Sequence, residues 1–245
     1  MQILLKLQYD GTNYAGFQKQ KNAITIQEKL ENALLMVFCE EIKLLAASRT
    51  DAGVHALGQR VSFHVNEIKI PLPKLPNVIN AALPSDISVV DSVFVPDDFH
   101  PRFDARHKTY TYSLLNIPHP NPLLGRYSVH VPKKLDVEKM KLAIEYFVGK
   151  HDFAAFSSTG GSQKTTVREI YETNIEVCEN GLIKLAVTGN AFLYNMVRII
   201  AGTVYYAGIG KISPSSISDI ILSKKRTQAG KTMPPHGLVL VDVGY

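Results

Sequence analysis

The stretch HKTYTYSLL, residues 107–115, decides how the rest of the chain is read. Its side chains alternate, with Tyr110, Tyr112 and Leu114 on one face and Thr109, Thr111 and Ser113 on the other, which is the two-residue period of a strand buried on one side. Such a strand needs a second layer over its apolar face, and the flanking sequence supplies candidates. Upstream, Ile3 to Tyr9 reads as a buried strand. Ile26, Leu30, Ala33, Leu34, Val37 and Phe38 then recur at helical spacing behind the capping-box pair Thr25 and Glu28. Val61, Phe63 and Val65 alternate with Arg60, Ser62 and His64, and a Pro-rich connection, IPLPKLPNVINAALP (70–84), precedes an expected strand over Ile87 to Val95.

Downstream, the turn IPHPNPLLG (117–125) leads to an amphipathic helix marked by Val137, Met140, Ile144, Phe147 and Val148. Strands follow near Val167 to Val177 and Leu182 to Thr188, then a long helix over Ala191 to Ala207, a short helix after Ser213 and a closing strand, Leu238 to Val243. The order strand, helix, strand, strand thus opens both halves, and the whole reads roughly as one pattern given twice. It predicts an α+β fold with mostly antiparallel sheets in two halves, residues 1–105 and 106–245, although no sequence repeat underlies the duplication.

The 245 residues are 45% hydrophobic and 20% charged, an ordinary globular composition, and the formal net charge of +5 permits a polyanionic partner without demanding one. Cys39 and Cys178 stand far apart with no Cys/His cluster, so neither a disulfide framework nor a zinc site is expected. The start, MQILLKLQYDG, reads as a strand rather than a signal peptide, and the apolar run Ala191 to Gly210 is broken by Asn195 and Arg198, against a membrane span. A reducing, cytoplasmic setting is expected. Dinucleotide, Walker, zinc-protease and nucleophile-elbow motifs are all missing from the sequence.

Chemistry concentrates in SRTDAGVHALGQ, residues 48–59. Read on its residues alone, this is a strand end and a tight turn, where Gly53 can take a positive φ and Asp51 can bond its own backbone. Arg49, Thr50, Asp51 and His55 also gather polar and ionisable groups at one strand end, where sites are commonly built. Both readings stay open at this point. Elsewhere, Arg198 sits among Met196, Val197, Ile199 and Ile200, so its guanidinium needs a partner, and Gly202, one turn later, would let another backbone approach that helix. Alternation puts Tyr110 and Tyr112 on one face and cannot choose between them.

RTDAGVHA with its downstream Gln resembles the catalytic signature of the bacterial tRNA pseudouridine synthase A family. The likeness runs nearly end to end, through YDGTNYAGFQKQ (9–20), TIQEKLENAL (25–34), DDFHPRFDARHKTYTY (97–112), NAFLYNMVRIIAGT (190–203) and PPHGLVLVDV (234–243). It implies a pseudouridine synthase fold, two RRM-like α/β halves meeting at a central catalytic cleft. The implied activity is isomerisation of uridine at positions 38, 39 and 40 of the tRNA anticodon stem-loop by a homodimer that needs no cofactor and no metal. Residue by residue, Asp51 becomes the catalytic carboxylate, Arg198 its ion-pair partner, Tyr110 the ring that packs on the target base, Arg49 the group filling the gap left by a flipped base, and Leu238 a wall of the uracil pocket.

For RNA contact, the best candidates are Arg102, Arg106 and Lys108 beside His107, leading into the Tyr110 strand, with Lys19 and Lys21 of the first loop second. Lys133, Lys134, Lys224, Lys225 and Arg226 form smaller groups that read as solvated surface. The chain departs from the family pattern at Phe17, where Trp is common, at Pro101 and Asp104, and at Asn195, where His is common. Two rival readings stand beside this one: a non-catalytic RRM-like RNA-binding protein using Tyr110 and Tyr112 as a stacking platform, and a metal-dependent nuclease or phosphotransferase using Asp51 with Asp10 or Asp104, which no acidic cluster supports.

Overall fold

The computed structural model describes residues 1–161 and 164–245. In chain order the elements are β1 (Gln2–Tyr9), α1 (Ile26–Phe38), β2 (Leu45–Ala46), β3 (His55–His64), α2 (Leu75–Asn80), β4 (Ile87–Val95), β5 (His107–Leu115), β6 (Val129–His130), α3 (Val137–Glu145), β7 (Gly149–Asp152), β8 (Val167–Val177), β9 (Leu182–Gly189), α4 (Met196–Gly208), α5 (Ile217–Ser223) and β10 (Leu238–Gly244). They fall into two compact units, one of residues 1–106 with 239–245 and one of residues 107–238. The fold is mixed α+β, as the periodicities predict. Among the described residues no helix is long and apolar enough to cross a membrane.

In the first unit the strand order is β4-β1-β3-β10, with β1 antiparallel to both β3 and β4, and β2 added on β3. Ile3, Leu5 and Leu7 of β1 are completely buried, as are Ile26, Leu30, Ala33 and Leu34 of α1 and Leu75 and Ile79 of α2. Thr25 caps α1 by accepting the Glu28 N–H (3.3 Å), and the helix stops at Cys39, whose left-handed backbone ends the repeat. Helix α2 lies inside the Pro-rich stretch that reads as a connection. Its proline stands at the helix start, where a missing N–H leaves no hydrogen bond unmade. The closing strand β10, which element order alone puts with the second half, runs parallel to β3, pairing Val239 with His55 and Leu240 with Ala56.

The segment after β4 is fixed within this unit. Gln2 donates its amide to Ser62 Oγ (2.8 Å) and the Phe99 carbonyl (2.9 Å). The Tyr245 ring lies 4.9 Å from that of Phe99, and its hydroxyl donates to the Pro101 carbonyl.

In the second unit the order is β5-β9-β8-β7, each neighbour antiparallel, with β6 parallel to β5. Register pairs Tyr110 with Val187, Tyr112 with Leu185 and Leu114 with Ile183, all buried, whereas Thr109 and Thr188 join through their hydroxyls at 2.9 Å. Asp136 caps α3 by accepting the Lys139 N–H. Helix α4 begins at Met196 rather than at Ala191, because Asn195 takes a left-handed conformation that no α-helix continues through. Gly202 meets another backbone, as the sequence predicts: a Cβ there would lie 1.8 Å from the Lys231 carbonyl oxygen. The strap 229–233 is further tied by Gly230 N–H donating to Thr203 Oγ1 (2.8 Å), whose own hydroxyl donates to Ile199 O (2.9 Å).

Candidate active site

The signature loop of the first unit runs from Ala47 to Val54, between β2 and β3, and is anchored at several points. Gln59, fully buried, turns its side-chain amide on Ser48 like a strand partner: Oε1 accepts the Ser48 N–H (3.2 Å) and Nε2 donates to the Ser48 carbonyl (2.8 Å). Thr50 shares a hydrogen bond with the Tyr9 hydroxyl (2.7 Å) and accepts the Phe17 N–H at its carbonyl (3.0 Å). The turn closes with Val54 N–H on Asp51 O (3.1 Å), and Gly53 takes the positive φ of 75° that the motif requires.

Two glycines let the first loop lie directly on this turn. A Cβ at Gly11 would stand 2.0 Å from Val54 O, and one at Gly16 would stand 2.7 Å from Thr50 O. His55 Nδ1 accepts the Gly11 N–H at 3.0 Å and lies 3.1 Å from Asp10 Oδ1. One ring nitrogen cannot accept from the first and donate to the second at once, so the tautomer selects between them. The outcome is a rigid turn with Asp51 half-buried at its apex, between buried Thr50 and Val54, and with Arg49 exposed.

In the second unit the two tyrosines of β5 part company. Tyr112 is completely buried, and its hydroxyl donates to the Pro234 carbonyl (2.7 Å). Burial pushes its phenol above the usual range, with the Arg198 charge pulling the other way. Gly237 comes so close that a Cβ there would lie 2.8 Å from Tyr112 Cζ. Tyr112 is thus committed to the core. Tyr110 instead meets Phe192 edge-on, with ring centroids 5.2 Å apart.

Arg198 stands in the first turn of α4 with its guanidinium held rather than extended to solvent. Nε donates to Met233 O (2.7 Å), Nη1 donates to Asn195 Oδ1 (2.5 Å), and the Arg198 carbonyl accepts the Met233 N–H (3.2 Å). Leu238, buried, opens β10. Asp51 and Arg49 belong to the first unit, and Tyr110, Arg198 and Leu238 to the second.

The cations differ among themselves. Arg102 and Arg106 are exposed, the Arg102 guanidinium sits 5.9 Å from the Phe103 ring centroid, and the local path is set by Arg102 N–H on His100 Nδ1 and His100 N–H on Asp104 Oδ2. Lys21 is exposed, and Lys19 bonds Glu31 (3.0 Å), which raises its pKa. Lys108 is only 7% exposed. Arg226 ties the strap by donating to Gly230 O and Thr232 Oγ1, and Lys224 bonds Asp152. Among the described residues no three His, Cys, Asp or Glu side chains cluster as metal ligands would.

Sequence reading passed over several residues that build these surroundings. Gln59 carried a signal only as the tail of the signature, and Asn195 only as a departure from a pattern. Met233 contributes backbone alone and leaves no mark in the sequence.

A family model described as tRNA pseudouridine synthase matches residues 7–104 and 143–245. The tRNA pseudouridine synthase A of Thermoanaerobacter sp. (strain X514) is 47% identical over 243 residues, covering 99% of each chain. That of Ruminiclostridium cellulolyticum is 48% identical at the same coverage, and the tRNA pseudouridine synthase A 2 of Clostridium perfringens is 46% identical, again over 99% of each. Among solved structures, a Cbf5-Nop10-Gar1 complex aligns over 84% of this chain and 53% of that chain, at 11% identity and a TM-score of 0.35. Near-half identity along the whole length, with the family model spanning both the Asp51 turn and the Arg198 helix, shows that the chain belongs to the tRNA pseudouridine synthase family.

Proposed function

We propose that this chain isomerises uridine to pseudouridine at positions 38, 39 and 40 of the tRNA anticodon stem-loop, with Asp51 as the catalytic carboxylate. The observation that carries the reading is the signature turn, in which Gln59, Tyr9 and the glycine contacts hold the backbone on either side of half-buried Asp51. Rigid support of this kind is what a positioned catalytic group requires.

The reaction breaks the N1–C1′ bond, turns the uracil, joins C5 to C1′, releases the C5 proton and leaves a proton on N1. Atoms balance within the nucleotide and no redox change occurs, so acid, base and nucleophile roles suffice. Asp51 acts either as nucleophile at C1′ or as base on the ribose in a glycal route. Arg198, the ion-pair partner that the family resemblance implies for it, keeps the carboxylate charged. Tyr110 stacks on the base and relays the C5 proton, a role that the commitment of Tyr112 to Pro234 favours over its neighbour. Arg49 fills the gap when the base is extruded, a step that costs roughly a few kcal/mol. Leu238 lines the uracil pocket, while the exposed cations Arg102, Arg106, Lys19 and Lys21 contact the RNA; Lys108, expected with them from the sequence, is too buried to join them. A homodimer working in the cytoplasm, free of metal and cofactor, completes the reading.

The test is tritium release from tRNA labelled at uridine C5, in excess EDTA, for the wild type and Asp51→Ala, with tRNA binding measured alongside. Release by the wild type alone, with binding retained by both, is the expected result. Binding without release by either protein overturns the enzyme reading for that substrate in favour of a binding protein, and release that needs a divalent metal overturns the metal-free mechanism.

A further inference from the structure

We infer that Asn195 is a positioning residue for Arg198: its side-chain amide, held between the Ser158 hydroxyl and the Arg198 guanidinium, sets where that guanidinium points. The inference rests on the proposed role of Arg198 as partner of the catalytic carboxylate, and adds the group that aims it.

A residue at the start of a helix ordinarily uses a short polar side chain to accept an N–H of the first turn. Asn195 has the right side chain and the right place, since its carbonyl accepts the Ile199 N–H (3.0 Å) to begin α4, yet it makes no side-chain cap. Its backbone sits at φ 62° and ψ 6°, a region that non-glycine residues enter rarely and that asparagine tolerates better than most. A cap forgone and an uncommon conformation adopted together mark a residue held for another purpose.

That purpose is visible in what the amide touches. Its Oδ1 accepts Arg198 Nη1, and its Nδ2 donates to Ser158 Oγ at 3.0 Å. The same segment is fixed through the backbone, where Ser158 N–H donates to Tyr194 O (3.1 Å). Helical side chains lean toward the N-terminus, so a residue three positions earlier is within reach of Arg198. A guanidinium is a planar fork, and two anchors on different nitrogens fix both its plane and its direction. Met233 O supplies the anchor on Nε at 2.7 Å, and Asn195 supplies the one on Nη1. Of the two, only Asn195 acts through a side chain, so it is the one substitution can remove.

The experiment measures single-turnover tritium release and tRNA affinity for Asn195→Gly, Asn195→Asp, Arg198→Ala and the double variant Asn195→Gly/Arg198→Ala. Glycine keeps the left-handed backbone free of strain while deleting the amide, and aspartate keeps an oxygen on Nη1. Asn195→Gly is expected to release tritium about tenfold to a hundredfold more slowly with tRNA affinity within about twofold of wild type, as misaimed groups do. Asn195→Asp recovers most of the rate. In the Arg198→Ala background, Asn195→Gly adds no further loss, because residues acting through one another are not additive. A slow Arg198→Ala beside a wild-type rate for Asn195→Gly, or equal slowing by Asn195→Gly in both backgrounds, overturns the inference and leaves the role of Arg198 standing. A wild-type rate for Arg198→Ala overturns that role and the inference with it.

Discussion

Two tyrosines on one strand face look equivalent in sequence and carry different burdens in the folded chain. Tyr112 has its hydroxyl on the Pro234 carbonyl inside the core, so Tyr112→Phe leaves a buried acceptor unpaired and lowers stability by about 1–2 kcal/mol. Tritium release by that variant stays near wild type once folding is ensured. Tyr110→Phe is expected to slow release at least about tenfold, because its hydroxyl relays the C5 proton, in excess of any change in its denaturation midpoint. Measuring both quantities on both variants separates the roles. Alternation identified the pair because burial has a two-residue period; it could not rank them because a hydrogen bond to a carbonyl from residue 234 is a long-range fact. Gln59 and Asn195 escaped for the same reason, since what defines each is the backbone or side chain it meets, and only folding makes that meeting.

At the scale of elements, glycine to alanine in a helix usually stabilises by about 0.5–1 kcal/mol. Gly202 of α4 reverses the sign, because a Cβ would lie 1.8 Å from the Lys231 carbonyl oxygen and drive the strap away. Gly202→Ala is predicted to destabilise by about 2 kcal/mol or more, as overpacking against backbone does, and calorimetry reads the shift. Because the strap presents Met233 O to Arg198, tritium release falls in the same variant.

A second test concerns the tie between the end of β7 and the end of α5. Lys224 on Asp152, with Thr166 adding a hydroxyl, holds the Asp152 carboxyl below its ordinary range. Its ionised form is therefore favoured by folding, so the stabilisation is complete above the unfolded pKa, about 3.9, and is lost as pH falls through the lower folded value. Asp152→Asn is predicted to unfold earlier than wild type at pH 6, by about 0.5–1 kcal/mol for a partly exposed pair, with the gap closing below pH 4. The strands and helices themselves were largely legible from apolar period. The start of α4 and the presence of α2 were not, since a left-handed residue ends one apolar run and a proline that begins a helix looks like one that breaks it.

On the whole-molecule scale, the first unit is discontinuous: residues 1–106 are completed by residues 239–245, and the second unit is inserted between them. The sequence disclosed every strand of this arrangement except the short β2, β6 and β7, but element order could not say that the last strand returns to the first unit, because pairing partners are not a local property. Removing residues 239–245 is predicted to speed hydrogen exchange at the start of β3, around His55 and Ala56, where the parallel partner strand is lost, while α3 and β8 keep their protection. Unchanged exchange throughout that segment would show that the strand contributes nothing to the first unit.

The returning strand also sets an order of events during synthesis. A ribosome delivers the chain from the N-terminus at about 5–20 residues per second, and domains tend to fold as they emerge. Here the second unit is fully delivered before the last seven residues of the first exist. The turn bearing Asp51 is made early, yet the strand that pairs with His55, next to it, is delivered only after the whole second unit. Completion of the first unit therefore waits on delivery of the second, and a chain that stops before residue 239 lacks β10 however much of the rest it contains.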